Sequence, residues 1–198
     1  EHLARDNTRL QRLRKQANLR LKATPEGLRY PAKRGLRAEQ ITPLLQGHHL
    51  TYHQNILITG PTGSGKSHLA CALGHLACLH GMRTLYFNMN RLSESIALAN
   101  ADGSIIKWLN QIQKARLVII DDFGLQPLTH QVKILILQLL EDRYARAATV
   151  ISSQLPVAKW HEFINEPTIA DAILDRVVPN AHRIDLRGES WRKKNSSL

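Results

Sequence analysis

Cysteine is nearly missing from this sequence: 198 residues hold two, Cys71 and Cys78. They lie seven apart on one expected helix, and a rise of ~1.5 Å per residue holds them too far apart for a disulfide. A disulfide-stapled fold is excluded. The pair reads instead as small buried apolar residues in a reducing compartment. Long apolar runs are missing too. None approaches the ~20 residues needed to cross a bilayer, and the first thirty residues are basic and polar rather than signal-like. The expected location is the cytoplasm, with no membrane partner.

Acidic residues are scarce and unevenly placed. The chain has 27 Lys and Arg against 16 Asp and Glu, a formal net charge of +11. Residues 1–55 hold 11 basic residues against 4 acidic ones, and the other 143 hold 16 against 12. A basic arm joined to a nearly balanced domain points to an anionic polymer, because each phosphate contact releases counterions. A solvated basic surface is the plainer alternative.

Apolar residues in the arm recur at helical spacing, at Leu3, Leu10, Leu13, Ala17 and Leu21, with Arg5, Arg9, Arg12 and Arg20 on another face. The pattern predicts one amphipathic helix that stops near Pro25 and Gly27. A basic connector with Lys33, Arg34 and Arg37 follows, then a short helix over 42–47. The expected division is a helical arm and connector over 1–52 and a core domain over 53–198.

Within the core, strands are expected at 55–59, 83–88, 116–121, 148–153 and 182–186, alternating with helices at 66–80, 91–99, 104–114, 129–146 and 167–177. Continuous apolar strands separated by helices predict an α/β fold. Its five-stranded parallel sheet would be covered on both faces, since right-handed crossovers place helices there.

The stretch GPTGSGKS, Gly60 to Ser67, follows the apolar run NILIT and precedes a helix. It satisfies G-x-x-x-x-G-K-[ST] in the strand-to-helix setting that phosphate binding requires. Glycines let backbone N–H groups close around phosphates, and the helix N-terminus adds to the field. The expected nucleotide-binding residues are Gly60, Pro61, Thr62, Gly63, Ser64, Gly65, Lys66, Ser67 and His68, with Lys66 as the charge on the phosphates and Ser67 as a Mg²⁺ ligand. The run LVIIDDFG supplies a second half. A buried strand ending in two carboxylates puts Asp121 where it can hold the metal and Asp122 beside an attacking water.

A strand, RTLYFN, lies in sequence between these motifs, as in P-loop ATPases that activate water next to the metal-binding acid. No Arg-rich lid insert of the small-molecule kinase type is present. Gln154, with Ser153, ends the fourth strand and could face a phosphate or the water; a capping role is equally open. Arg176 could reach a nucleotide on a neighbouring subunit, or could pair with Asp171 or Asp175. Trp108 sits among Ile105, Ile106, Leu109 and Ile112 and reads as core.

Assembled, these residues resemble the IstB-type transposition helper ATPases of bacterial insertion sequences, relatives of the DnaC-type helicase loaders in the AAA+ superfamily. The resemblance is carried by RLRKQANLRLKATPEGL, RGL around Gly35, NILITGPTGSGKSHLACALG, LVIIDDFG, VISSQLPVAKWHEF, DAILDRVVPNAHRIDLRGES and the basic WRKK. It implies an AAA+ P-loop core and ATP with Mg²⁺ as cofactors. It also implies self-assembly into a homo-oligomer on double-stranded DNA, and a cognate transposase as partner.

Carried over by position, the resemblance makes Lys66 and Ser67 the Walker A pair, Asp121 the Walker B acid, Gln154 the sensor and Arg176 the arginine finger. Arg192 falls where a second sensing arginine sits. DNA contacts are expected from Arg5, Arg9, Arg12 and Arg20 on the arm, and from Arg91 and Lys107 beyond the second strand, through phosphates rather than bases.

Two departures matter. Most AAA+ members carry Glu where this chain has Asp122, whose shorter reach predicts slow hydrolysis. The usual C-terminal helical lid is not evident either, so the arm or a neighbour would have to cover part of the nucleotide. A helicase loader acting on single strands, or a DNA-binding scaffold using ATP as a structural ligand, share the same motifs.

Overall fold

The computed structural model describes residues 2–28 and 35–188, with side chains from residue 7 onward. Five strands form one sheet: β1 (Asn55–Thr59), β2 (Thr84–Asn88), β3 (Leu117–Phe123), β4 (Ala148–Ser153) and β5 (Ala181–Asp185). Their order is β2-β3-β4-β1-β5, and every pairing is parallel. The expected α/β fold with a five-stranded parallel sheet is therefore what the chain forms.

Nine α-helices surround the sheet among the described residues: α1 (His2–Ala17), α2 (Ala38–Leu45), α3 (His48–Thr51), α4 (Lys66–Leu79), α5 (Met89–Ala101), α6 (Ile105–Gln113), α7 (His130–Arg143), α8 (Trp160–Ile164) and α9 (Pro167–Val177).

Strand residues alternate between two apolar layers because successive side chains point to opposite faces. Ile56, Ile58, Leu117, Ile119 and Val150 face α4, where they meet Leu69, Ala70 and Leu73, and Ile41, Leu44 and Leu50 of α2 and α3 join this layer. Leu57, Val118, Ile120 and Ile151 face the other way, onto Leu92 and Ile96 of α5, Ile136 and Leu140 of α7, Trp160 of α8 and Ile173 of α9. Trp108 packs against this second layer, its ring 6.3 Å from that of Phe87, in keeping with a core role.

The arm helix is shorter than its periodicity predicts. It ends at Ala17 because Asn18 turns into the left-handed region at φ 49°, so Leu21 and Arg20 do not continue the helical face. Leu13 and Ala17 are buried against Cys78 of α4, with Leu10 and Leu19 beside them. Leu19 enters the space over Gly74, where an added Cβ would lie 2.8 Å from Leu19 Cδ2 and from Ile119 Cδ1. Arg14 adds a 2.8 Å hydrogen-bond contact to the His75 ring. Both cysteines are free and buried, and burial raises both thiol pKa values, as inert core residues require.

Candidate nucleotide site

The crevice of an open parallel sheet forms at the carboxyl ends of strands where the order reverses. Here the chain leaves β1, runs out to β2 and returns through β3 and β4, so β1 and β4 are neighbours although far apart in sequence. The phosphate loop leaves the end of β1, and the acidic pair ends β3.

Glycine is obligatory at the first loop position. Gly60 has φ 147°, and a Cβ there would fall 2.5 Å from the Leu186 carbonyl oxygen. Gly63 and Gly65 also take positive φ, at 78° and 103°. The loop ends on α4, which begins at Lys66 and continues for 14 residues. Lys66 is 6 % exposed, and its ammonium donates to the carbonyls of Gly60 at 2.8 Å and Pro61 at 3.0 Å. Burial lowers its pKa, while Asp122 and Asp121 favour its charge. Ser64 Oγ is buried in the same loop with no hydrogen-bond partner among the described residues. An orphan hydroxyl beside a glycine cradle and a helix N-terminus is the donor set a polyphosphate uses. Ser67 is half-buried on the first turn of α4, and Thr62 and His68 are exposed.

The two acids differ. Asp121 is fully buried; Tyr86 donates its hydroxyl to Oδ2 at 2.5 Å, and Ser152 donates to Oδ1. Burial, then the neighbouring Asp121, raises the Tyr86 phenol far above its ordinary pKa, so it remains a donor. Asp122 has φ 61°, a left-handed residue at an irregularity in the β3–β4 ladder. That turn sends its carboxylate to the cleft, where Oδ2 accepts from Asn88 Nδ2 at 2.8 Å and from Arg20 Nη1 at 3.3 Å. Its own N–H donates to Ser152 Oγ at 3.3 Å.

A cleft of about 690 Å³ joins these parts. Residues 62–69 of the loop, Asp122 and Gln154 line it, and the arm contributes Arg20, Leu21, Leu28 and Leu36. The arm thus lies over the site as cover. Gln154 is exposed at the end of β4. Ser153 is not aimed at the cleft: its hydroxyl donates to the Phe123 carbonyl at 2.5 Å and accepts from the Leu155 N–H at 3.0 Å, tying two strand ends together.

Arg176 stands at the other end of the sheet. Asn55, which opens β1, donates its side-chain amide to the Arg176 carbonyl at 3.3 Å, whereas the phosphate loop follows the end of β1. The guanidinium pairs with Glu141 at 3.0 Å, not with Asp171 or Asp175, and lies 5.4 Å from the centre of the Tyr144 ring.

Of the expected DNA contacts, Arg12, Arg91 and Lys107 are exposed, and Arg9 is exposed while donating to the Gly81 carbonyl at 3.3 Å. Arg20 is exposed as well, with its guanidinium hydrogen-bonded to Asp122 at 3.3 Å. The side chain of Arg5, and Lys33, Arg34 and Arg192 altogether, lie outside the described residues.

Sequence reasoning missed Tyr86, Asn88 and Ser152, which hold the acids. In register Asn88 faces Asp121 across the β2–β3 pair, and Tyr86 lies two residues before it. The signal was present as polar residues alternating along RTLYFN, but its meaning depends on which strand is the neighbour.

Comparison with known proteins gives the family and the fold. The IstB-like ATP binding protein family of IS21-type elements matches residues 1–198. An insertion sequence ATP-binding protein of Sinorhizobium fredii, y4pL, is 49 % identical over 177 residues, covering 89 % of this chain and 72 % of that one. The IS21 ATP-binding protein of Pseudomonas aeruginosa is 31 % identical over 180 residues, 91 % of this chain and 68 % of its own. In fold, DnaI superposes with a TM-score of 0.72 at 16 % identity, over 84 % of this chain and 92 % of that one. AMPPCP-bound DnaA from Aquifex aeolicus gives 0.71 at 19 %, over 91 % and 57 %. The fold is that of AAA+ P-loop ATPases, and the chain belongs to the IstB-like family of insertion-sequence ATP-binding proteins.

Proposed function

We propose that this ATP-binding protein is a slow ATPase that assembles on duplex DNA and assists the transposase of its insertion sequence. The observation that carries the reading is the meeting of the phosphate loop, Asp122 and Gln154 in one cleft. A bound triphosphate would lie along residues 60–68 with Lys66 as its fixed positive charge. Ser67 and Asp121 would hold Mg²⁺, which neutralises phosphate charge. Asp121 suits that task because two hydroxyls orient its oxygens and leave the carboxylate no freedom to turn. Asp122 is the general base for the attacking water, held by Asn88 against rotation. Gln154, exposed at the cleft rim, orients the water or the terminal phosphate.

Arg176 cannot serve this cleft from the opposite end of the same sheet, so its catalytic role requires a second copy. That requirement makes hydrolysis depend on assembly, and the basic arm gives assembly its template. Arg9 and Arg12 on α1 and Arg91 and Lys107 on α5 and α6 contact phosphates, with steep salt dependence and little sequence preference.

Sedimentation of the purified protein with duplex DNA, ATP and Mg²⁺ at low salt tests this. Oligomers that form on DNA only with ATP, and dissolve as salt rises, are expected. A protein that stays monomeric on DNA while hydrolysing at full rate would overturn it, and preference for single strands would favour a helicase loader.

A further inference from the structure

The arm reaches the acidic pair through one side chain. Arg20 Nη1 stands 3.3 Å from Asp122 Oδ2 and 4.0 Å from Asp121 Oδ2. Arg20 and Asp122 line the same cleft as the phosphate loop. The backbone on either side is anchored: Leu19 fills the space over Gly74 of α4, and Ala23 is 2 % exposed in the layer beneath. Asn18, at φ 49°, is the turn that breaks the helix and aims this segment at the cleft. Burial opposes the Arg20 charge, and Asp122 and Asp121 favour it.

Asp122 Oδ2 is also where Asn88 donates, at 2.8 Å. A divalent cation drawn to the same carboxylates would meet the guanidinium within a few ångströms, where like charges in a partly enclosed cleft repel strongly. Guanidinium and metal cannot both sit at full strength against this carboxylate pair, because Arg20 Nη1 already lies 4.0 Å from Oδ2 of Asp121, the metal-holding acid. We propose that Arg20 and a divalent cation compete for the Asp121–Asp122 pair, so that Arg20 belongs to the nucleotide site and its segment of the arm responds to metal loading.

This inference rests on the nucleotide-site reading but not on hydrolysis, DNA or assembly. Its consequence is a dependence of nucleotide affinity on metal that Arg20 sets. Without metal, Arg20 offsets the carboxylates that would repel a triphosphate; with metal, Arg20 is redundant or in the way.

Binding of a fluorescent, non-hydrolysable ATP analogue, measured in Mg²⁺ and again in EDTA without DNA, gives that dependence as a ratio of affinities. In Arg20→Gln the ratio should rise about fivefold, the scale of a partly exposed ion pair. The rise should come from weaker binding in EDTA. Arg20→Lys should keep the ratio within about twofold of the parent, because it retains the charge. In an Asp122→Asn background, Arg20→Gln should no longer move it. An unchanged ratio in Arg20→Gln overturns the proposal, whatever the absolute affinities.

The parent protein supplies a second measurement that needs no variant. Tryptic cleavage after Arg20, followed by mass spectrometry, should be faster with the analogue and Mg²⁺ than with the analogue and EDTA. Equal rates overturn the proposal. Failure of the parent to bind the analogue in either medium sinks the nucleotide-site reading beneath it, a result distinct from an unmoved ratio.

Discussion

At the carboxyl ends of the strands, Lys66 and Asp122 line an open cleft; at the amino ends, a cation can be closed off by the protein itself. Arg143 illustrates the second kind. It is 2 % exposed, and it donates to Thr149 Oγ1 at 3.1 Å, the Ala115 carbonyl at 2.9 Å and the Ala148 carbonyl at 2.5 Å. Burial pushes its pKa down to about 10, with Arg116 adding to the effect, yet it remains a full cation at neutral pH. Lys66 at the other end has two carbonyl acceptors from its own loop, beside a buried hydroxyl left without a partner. A polar group satisfied wholly by its own fold is structural, and a cluster satisfied only in part is where a ligand completes the bonding.

The comparison breaks most visibly at Arg176, which sits at the closed end but is given a catalytic role in a neighbour. Arg176→Ala should leave ATP affinity unchanged while lowering hydrolysis in the DNA assembly by about 10³-fold, as loss of an arginine finger does. Mixing it with Lys66→Ala should restore part of the rate, because each variant supplies what the other lacks. No recovery in the mixed assay would count against a shared site.

Arg143→Met should cost about 3 kcal/mol of stability in urea titrations, by stranding three buried acceptors, with ATP affinity per folded molecule unchanged. At the open end the same substitution logic gives the reverse. Lys66→Ala should weaken ATP binding about a hundredfold with little loss of stability. Asp122→Asn should retain binding and assembly and lower turnover by about the same factor. Undiminished hydrolysis in that variant removes Asp122 as the base.

The smallest expected effect sharpens the contrast through pH. His49 is fully buried near the closed end, and burial, with His182, His80 and His48 nearby, lowers its pKa to about 4. The folded state therefore holds this imidazole neutral where the unfolded chain, near 6.5, would protonate it. Stability from His49 is complete above about pH 6.5 and falls toward pH 4, by on the order of 2 kcal/mol between pH 7.5 and 4.5. His49→Leu should flatten that part of the stability profile measured by thermal melts.

Local pattern made the frame legible. Each strand lies within two residues of its expected span because a parallel strand covered on both faces is a continuous apolar run. The phosphate loop and the acidic pair were readable for the same reason, as contiguous signals. What escaped depends on neighbours distant in sequence: the Tyr86 and Ser152 hydroxyls on Asp121 come from strands 35 and 31 residues away. The end of α1 escaped because Leu21 keeps the apolar period after Asn18 has broken the backbone. Helix α8 escaped because five residues are too few for a period to register, although Trp160 within it is fully buried and donates to the Leu155 carbonyl at 3.0 Å.

Asn55 holds two elements at once. Its amide donates to the carbonyls of Arg176 and Val177 at 3.3 and 3.4 Å, and its oxygen accepts from the Thr149 N–H at 3.1 Å. The tail of α9 is bolted to the central strands, so the Arg176 backbone cannot swing toward a visitor and only its side chain can extend. In the assembly proposed above, a neighbour's phosphates would have to come to this fixed post, and the step from one subunit to the next would follow from the reach of a single residue.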